Sequence, residues 1–121
     1  MPGRSKDVAG LIAAATVLAF VVAEPIIAAT PRLVVHPVSV PRGATVTVSG
    51  KGCRAGDVVY LISPPFAGHA FVQHSVATRA RSSGTFARLV GIRTTIRPGR
   101  YLITARCGGG NLGVSTALRV Y

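Results

Sequence analysis

Two hydrophobic patterns divide this chain. Residues 8–23 form an unbroken apolar run of 16 positions, preceded by Arg4 and Lys6 and followed by Glu24-Pro25. Beyond Pro31 the apolar residues come in short stretches that alternate with polar ones and are separated by turn residues. A period of two is the signature of strands with one buried face, and nothing past Pro31 carries a helical period.

Within the second region, Leu33-Val34-Val35 and Val38-Ser39-Val40 flank His36-Pro37, which predicts an edge strand broken at the proline. Residues 44–49 alternate Val46 and Val48 inward against Thr45, Thr47 and Ser49, and residues 57–63 form an apolar strand. Residues 63–68 are the longest irregular segment. Residues 70–81 and 85–92 predict a hairpin around Ser82-Ser83-Gly84. Residues 100–107 place Tyr101, Ile103, Ala105 and Cys107 on one face; residues 108–111 form a glycine-rich loop, and residues 113–120 form the last strand. Seven or eight short strands with turn signals about every 8–12 residues predict an all-β, two-sheet antiparallel sandwich.

The first region has the layout of a secretory signal peptide: a basic start, an apolar core and small residues before Glu24. At about 1.5 Å per residue the run covers roughly 24 Å, short of the ~30 Å hydrocarbon core. Cleavage is expected after Ala23 or Ala29. The alternative is an uncleaved anchor helix extending to residue 29. The expected organisation is a signal peptide at 1–23, a linker at 24–31 and one domain at 32–121. The expected location is secreted or at the cell envelope, with a membrane-anchored domain outside the cell as the alternative.

Export changes the reading of the two cysteines. In an oxidising compartment Cys53 and Cys107 most simply form one disulfide, enclosing about 53 residues and contributing ~4 kcal/mol. Cys107 is in phase with inward residues and Cys53 follows a strand, so the bridge ties one end of the sandwich. Charge changes the picture again. After residue 23, twelve Lys and Arg face only Glu24 and Asp57. Such a field draws polyanions at low salt. Outside a bacterium these are phospholipid head groups, teichoic or other phosphorylated wall polymers, and released DNA.

Three segments, residues 46–56, residues 83–86 and residues 98–107, resemble the skeleton of exported actinobacterial immunoglobulin-like domains. More distantly they resemble the fold of the neocarzinostatin-type apoproteins. The resemblance covers roughly residues 31–121 and rests on Val46-Thr47-Val48-Ser49-Gly50-Lys51-Gly52-Cys53, Ser83-Gly84-Thr85-Phe86 and Pro98-Gly99-Arg100-Tyr101 with the strand that follows. It implies an immunoglobulin-like sandwich. The apoprotein family usually has two disulfides and an open ligand cleft, whereas this chain has cysteines for one bridge.

Chemistry-bearing residues are sparse. His36 lies beside Pro37, and His69 and His74 fall on opposite faces of one continuous strand. Asp57 is the only acid expected in the folded domain, so neither a paired-carboxylate mechanism nor a zinc site with its usual three or four donors is supported. No Gly-x-Ser-x-Gly elbow occurs. No catalysis, metal or cofactor is expected. Arg79, Arg81, Arg88, Arg93, Arg97 and Arg100 form a candidate surface for anionic envelope polymers or lipid head groups, without dedicated nucleic-acid recognition. Phe66 is a candidate loop contact. The membrane is expected to meet the protein only through the N-terminal segment. The expected function is non-catalytic binding or adhesion at the envelope; the alternatives are a small-ligand carrier of the apoprotein kind and a membrane-tethered structural domain.

Overall fold

Alternation decides which side of each strand is dry. The computed structural model describes residues 30–121; the expected export segment and its extension to residue 29 lie outside the described residues. Eight strands follow in order: β1 Arg32–His36, β2 Ser39–Val40, β3 Thr45–Lys51, β4 Val58–Ile62, β5 Ser75–Arg79, β6 Thr85–Gly91, β7 Gly99–Cys107 and β8 Gly110–Val120. They form a three-stranded sheet, β1-β3-β6, and a five-stranded sheet, β2-β8-β7-β4-β5. Val46, Val48, Phe86 and Val90 from the first sheet and Leu61, Ile103, Ala105 and Leu118 from the second belong to one core, nearly free of solvent contact. Among the described residues no helix occurs.

One glycine is fixed by this packing. Gly50 pairs with Phe86 in register, and a Cβ there would lie 2.5 Å from Phe86 Cζ and also overlap the Arg32 carbonyl oxygen. The buried Phe86 ring occupies the space over the glycine. A second constraint is the β7–β8 turn, where Cys107 pairs with Gly110 and both intervening residues have positive φ, Gly108 at 61° and Gly109 at 82°. Both values suit a type I′ turn, which glycine adopts without a Cβ penalty.

The disulfide forms as expected. Cys53 and Cys107 are joined with their Cα atoms 5.9 Å apart. The bridge links the segment after β3 to the end of β7, so it ties the two sheets together at one end.

Three expectations need correction. The hairpin over residues 70–92 is absent: all five residues of β5 pair with β4, and all seven of β6 pair with β3. Each strand finds a full-length partner in a different sheet, so the 81–84 turn carries the chain between layers. The strand expected from residue 70 begins only at Ser75. Before it, His74 N donates to Gly68 O (2.9 Å), Ala70 N donates to Ser75 O (3.1 Å), and Phe71 N donates to the Ser75 hydroxyl (2.9 Å). These bonds fold residues 67–74 into a loop, which the local polar groups satisfy better than a ladder would. The third correction is direction: β2 pairs with β8 in parallel. The run broken at Pro37 keeps its heading while it changes sheets, so its second half meets β8 from the parallel side.

Candidate functional site

The six arginines singled out from the sequence do not form one surface. Three of them are held on main-chain carbonyls. Arg79 Nη1 donates to Gly56 O at 2.7 Å. Arg88 Nη1 donates to Ala77 O at 2.8 Å, crossing from β6 to β5, and its Nε donates to Leu89 O at 3.1 Å. Arg93 Nε and Nη2 both donate to Pro64 O, at 3.1 and 2.8 Å. Arg97 precedes β7, where its carbonyl accepts the Tyr101 hydroxyl at 2.5 Å. Arg81 and Arg100 belong to two separate cationic groups.

The first group lies on the outer face of the three-stranded sheet. Arg32 and Lys51 are direct cross-strand partners, and Lys51 is in turn opposite Thr85. Arg32 and Lys51 are both exposed. With Arg81 and Ser49 they border a surface hollow of about 490 Å³. The second group lies on the outer face of the five-stranded sheet, where Arg100 is directly opposite Arg119, and Arg119 is opposite Ser39. These residues border a smaller hollow of about 210 Å³ with Val38 and Ala117. Neither row contains an acid. Like charges placed directly opposite each other weaken a sheet, so two such pairs in one small domain call for an explanation outside folding.

Arg32, Lys51 and Arg119 were not among the residues the sequence singled out. Their significance is a matter of register: Arg32 and Lys51 are far apart in the chain, as are Arg100 and Arg119, and only strand pairing brings each pair together.

The aromatic loop contact moves. Phe66 has 0% exposure and plugs the core; its segment is fixed by Phe66 N donating to Ser63 O (3.0 Å) and Arg93 N to Pro65 O (2.8 Å). The exposed ring is Phe71, 51% accessible, which stacks on Tyr60 with centroids 4.8 Å apart on the outer face of the five-stranded sheet. Asp57 accepts the Arg54 N–H (3.3 Å) and lines a hollow of about 610 Å³ beside the disulfide. A further hollow of about 380 Å³ lies between Ala67, His69, Val76 and Arg88, where the edges of the two sheets meet. His69 and His74 both lie in the 67–74 loop, and among the described residues no three His, Cys, Asp or Glu side chains are grouped to hold a metal.

The sequence matches no family model and no curated protein. One solved structure similar to it is macromomycin, an apoprotein of the neocarzinostatin type. The TM-score is 0.51 at 18% identity, and the match covers 74% of this chain and 96% of that one. A second, the Pseudomonas fluorescens alkylpurine DNA glycosylase AlkC bound to DNA containing an abasic site analogue, is 18% identical over 74% of this chain but only 29% of that one. Its TM-score of 0.46 is too low to bear on the fold. The macromomycin likeness supports the distant similarity to the neocarzinostatin-type fold: all-β, in two sheets, here with a single disulfide.

Proposed function

We propose that this protein is an exported, non-catalytic, immunoglobulin-like module that binds anionic polymers at the cell envelope through its cationic outer faces. The observation that carries this reading is the two cross-strand register pairs of cations, Arg32–Lys51 and Arg100–Arg119, in rows without an acid. A guanidinium offers a planar fork of donors that matches a phosphate, and two cations side by side hold an anion better than either alone. The disulfide is in keeping with an oxidising compartment. The immunoglobulin-like description is supported by the placing of the bridge, which joins the segment after the third strand to the end of the seventh and so crosses between the sheets. The Tyr101 hydroxyl bonds the carbonyl four residues upstream at the start of the cysteine-bearing strand, as a tyrosine corner does, but Tyr101 stands six residues before Cys107 where that motif has two.

The test is retention of the full-length protein on isolated cell-wall polymer and on anionic vesicles as salt is raised. Binding is expected to weaken at least about tenfold between 50 and 200 mM salt, as release of counterions requires. Binding indifferent to salt would rule the reading out.

The hollow near Ala67, Val76 and Arg88, together with the fold shared with macromomycin, favours a second reading as a small-ligand carrier. Equilibrium dialysis against neutral polycyclic aromatic compounds separates the two. Saturable uptake abolished by Ala67→Trp would support the carrier; none would leave the polymer reading alone.

A further inference from the structure

The two cation pairs differ in place as well as in sequence. Arg32 and Lys51 are exposed on one sheet, next to residues whose inward neighbours, Leu33 and the glycine under Phe86, define the core side. Arg100 and Arg119 are exposed on the other sheet, beside Tyr101 and the buried Leu118. The sheets face each other across the core, so the pairs point in opposite directions. Stacked sheets lie about 10 Å apart, and with side chains extended from each the charges are roughly 20 Å apart through the molecule. They are also at opposite ends. Lys51 ends β3 beside the disulfide, whereas Arg100 is the second residue of β7, seven residues before Cys107, or roughly 23 Å along the strand.

We propose that the domain is bivalent, each cation pair seating a phosphodiester of a different polymer chain, so that one molecule bridges two chains. This rests on the anionic-polymer reading and extends it from binding to cross-linking. A chain lying flat on one face cannot reach the other pair without wrapping round the body of the domain. The surroundings select a phosphodiester-linked polyol of wall type. Around Arg32 and Lys51 stand Val34, Ser49 and Thr85, and around Arg100 and Arg119 stand Val38, Ser39 and Ala117. Most of these are small aliphatic and hydroxyl groups, and the one ring that borders either hollow, Phe86, is 1% exposed and leaves no face for a nucleobase to stack on.

The experiment uses the full-length protein in nonionic detergent with soluble poly(glycerol phosphate), read by light scattering and by binding to the immobilised polymer. The wild type is expected to scatter near equivalence and to clear again in excess polymer, when each molecule holds a single chain. R32Q/K51Q and R100Q/R119Q should each still bind immobilised polymer while scattering at least about tenfold less, since the gain from a second attachment is lost. R42Q/R54Q removes two charges outside both rows and should scatter like the wild type.

Binding without scattering by the wild type would overturn bridging and leave the polymer-binding reading intact. Absence of binding would remove both. Equal loss of scattering in R42Q/R54Q would assign the effect to net charge and overturn the two-site proposal. Bridging of single-stranded DNA of matched length at about tenfold lower protein concentration would overturn the wall-polymer assignment.

Discussion

Along the seam where β5 and β6 run side by side, Arg88 crosses to the Ala77 carbonyl and the Thr78 hydroxyl reaches the Ala87 carbonyl at 3.4 Å. On the outer faces, Arg100 and Arg119 sit opposite each other on two strands whose backbones are already paired. The difference lies in what the main chain has left over. β5 and β6 are the terminal strands of their sheets, and an edge presents carbonyls that need donors. A guanidinium there is drawn onto the backbone and covers an edge that would otherwise recruit another chain. In the middle of a ladder those carbonyls are occupied, so the same side chain keeps its donors for solvent or a ligand. Basic composition alone therefore overstates a binding surface, and a main-chain carbonyl within reach decides which arginines are withdrawn from it; terminal position alone does not, since Arg32 lies on the terminal strand β1 and is exposed on the outer face.

The largest way to break this comparison is to uncouple the layers that hold both regions. Cys53→Ser with Cys107→Ser removes the covalent tie between the sheets and should lower unfolding free energy by about 4 kcal/mol in urea denaturation. A loss below about 1 kcal/mol would mean that the seam contacts alone hold the layers together, which would shift the weight of the argument onto Arg88. Next in size is the platform under the Arg32–Lys51 row. Gly50→Val would drive two methyl groups into Phe86 and the Arg32 carbonyl, and overpacking of this kind should cost about 3 kcal/mol. A variant of wild-type stability would show that the Phe86 ring can swing aside.

The seam itself is sharpened by Arg88→Met, which keeps much of the side chain's length and removes its donors. Stability should fall by about 1 kcal/mol, the usual net value of such a bond, as the carbonyls of Ala77 and Leu89 lose their partner. Affinity for an anionic polymer and its salt dependence should stay as in the wild type. A changed salt slope would place Arg88 among the binding residues and dissolve the distinction between seam and face.

What the sequence disclosed follows the range of each interaction. Alternation is local, so the inward set of Val46, Val48, Ile103 and Ala105 and the phase of Cys107 were legible from the residues alone. The disulfide followed from there being two cysteines and a signal-like start. Pairing is non-local, and there the reading failed: Ser82-Ser83-Gly84 has hairpin chemistry, yet it connects strands that pair into different sheets. The same limit concealed Arg32–Lys51 and Arg100–Arg119, whose members lie 19 positions apart in the sequence in both cases. Phe66 and Phe71 stand in one apolar-rich loop with no local signal to say which is buried. The bonds from Phe66 N to Ser63 O and from Arg93 N to Pro65 O fix the segment with Phe66 inward.

The smallest expected effect is the one that separates the two regions most sharply, because its sign is opposite for folding and for binding. Arg119→Glu replaces a like-charged cross-strand pair with an attractive one opposite Arg100. A repulsion of this kind costs a few tenths of a kcal/mol, and reversing it should raise stability by about 0.5 kcal/mol at low salt, with the gain shrinking as salt is added. Affinity for poly(glycerol phosphate) should fall in the same variant, because the new carboxylate occupies the Arg100 fork and repels phosphate. A protein that becomes more stable as it loses its ligand retains the repulsive pair for binding, since folding gains nothing from it. If Arg119→Glu instead weakens the fold and leaves binding untouched, Arg119 belongs with Arg88 as a structural residue, and the outer face of the five-stranded sheet is not a ligand surface.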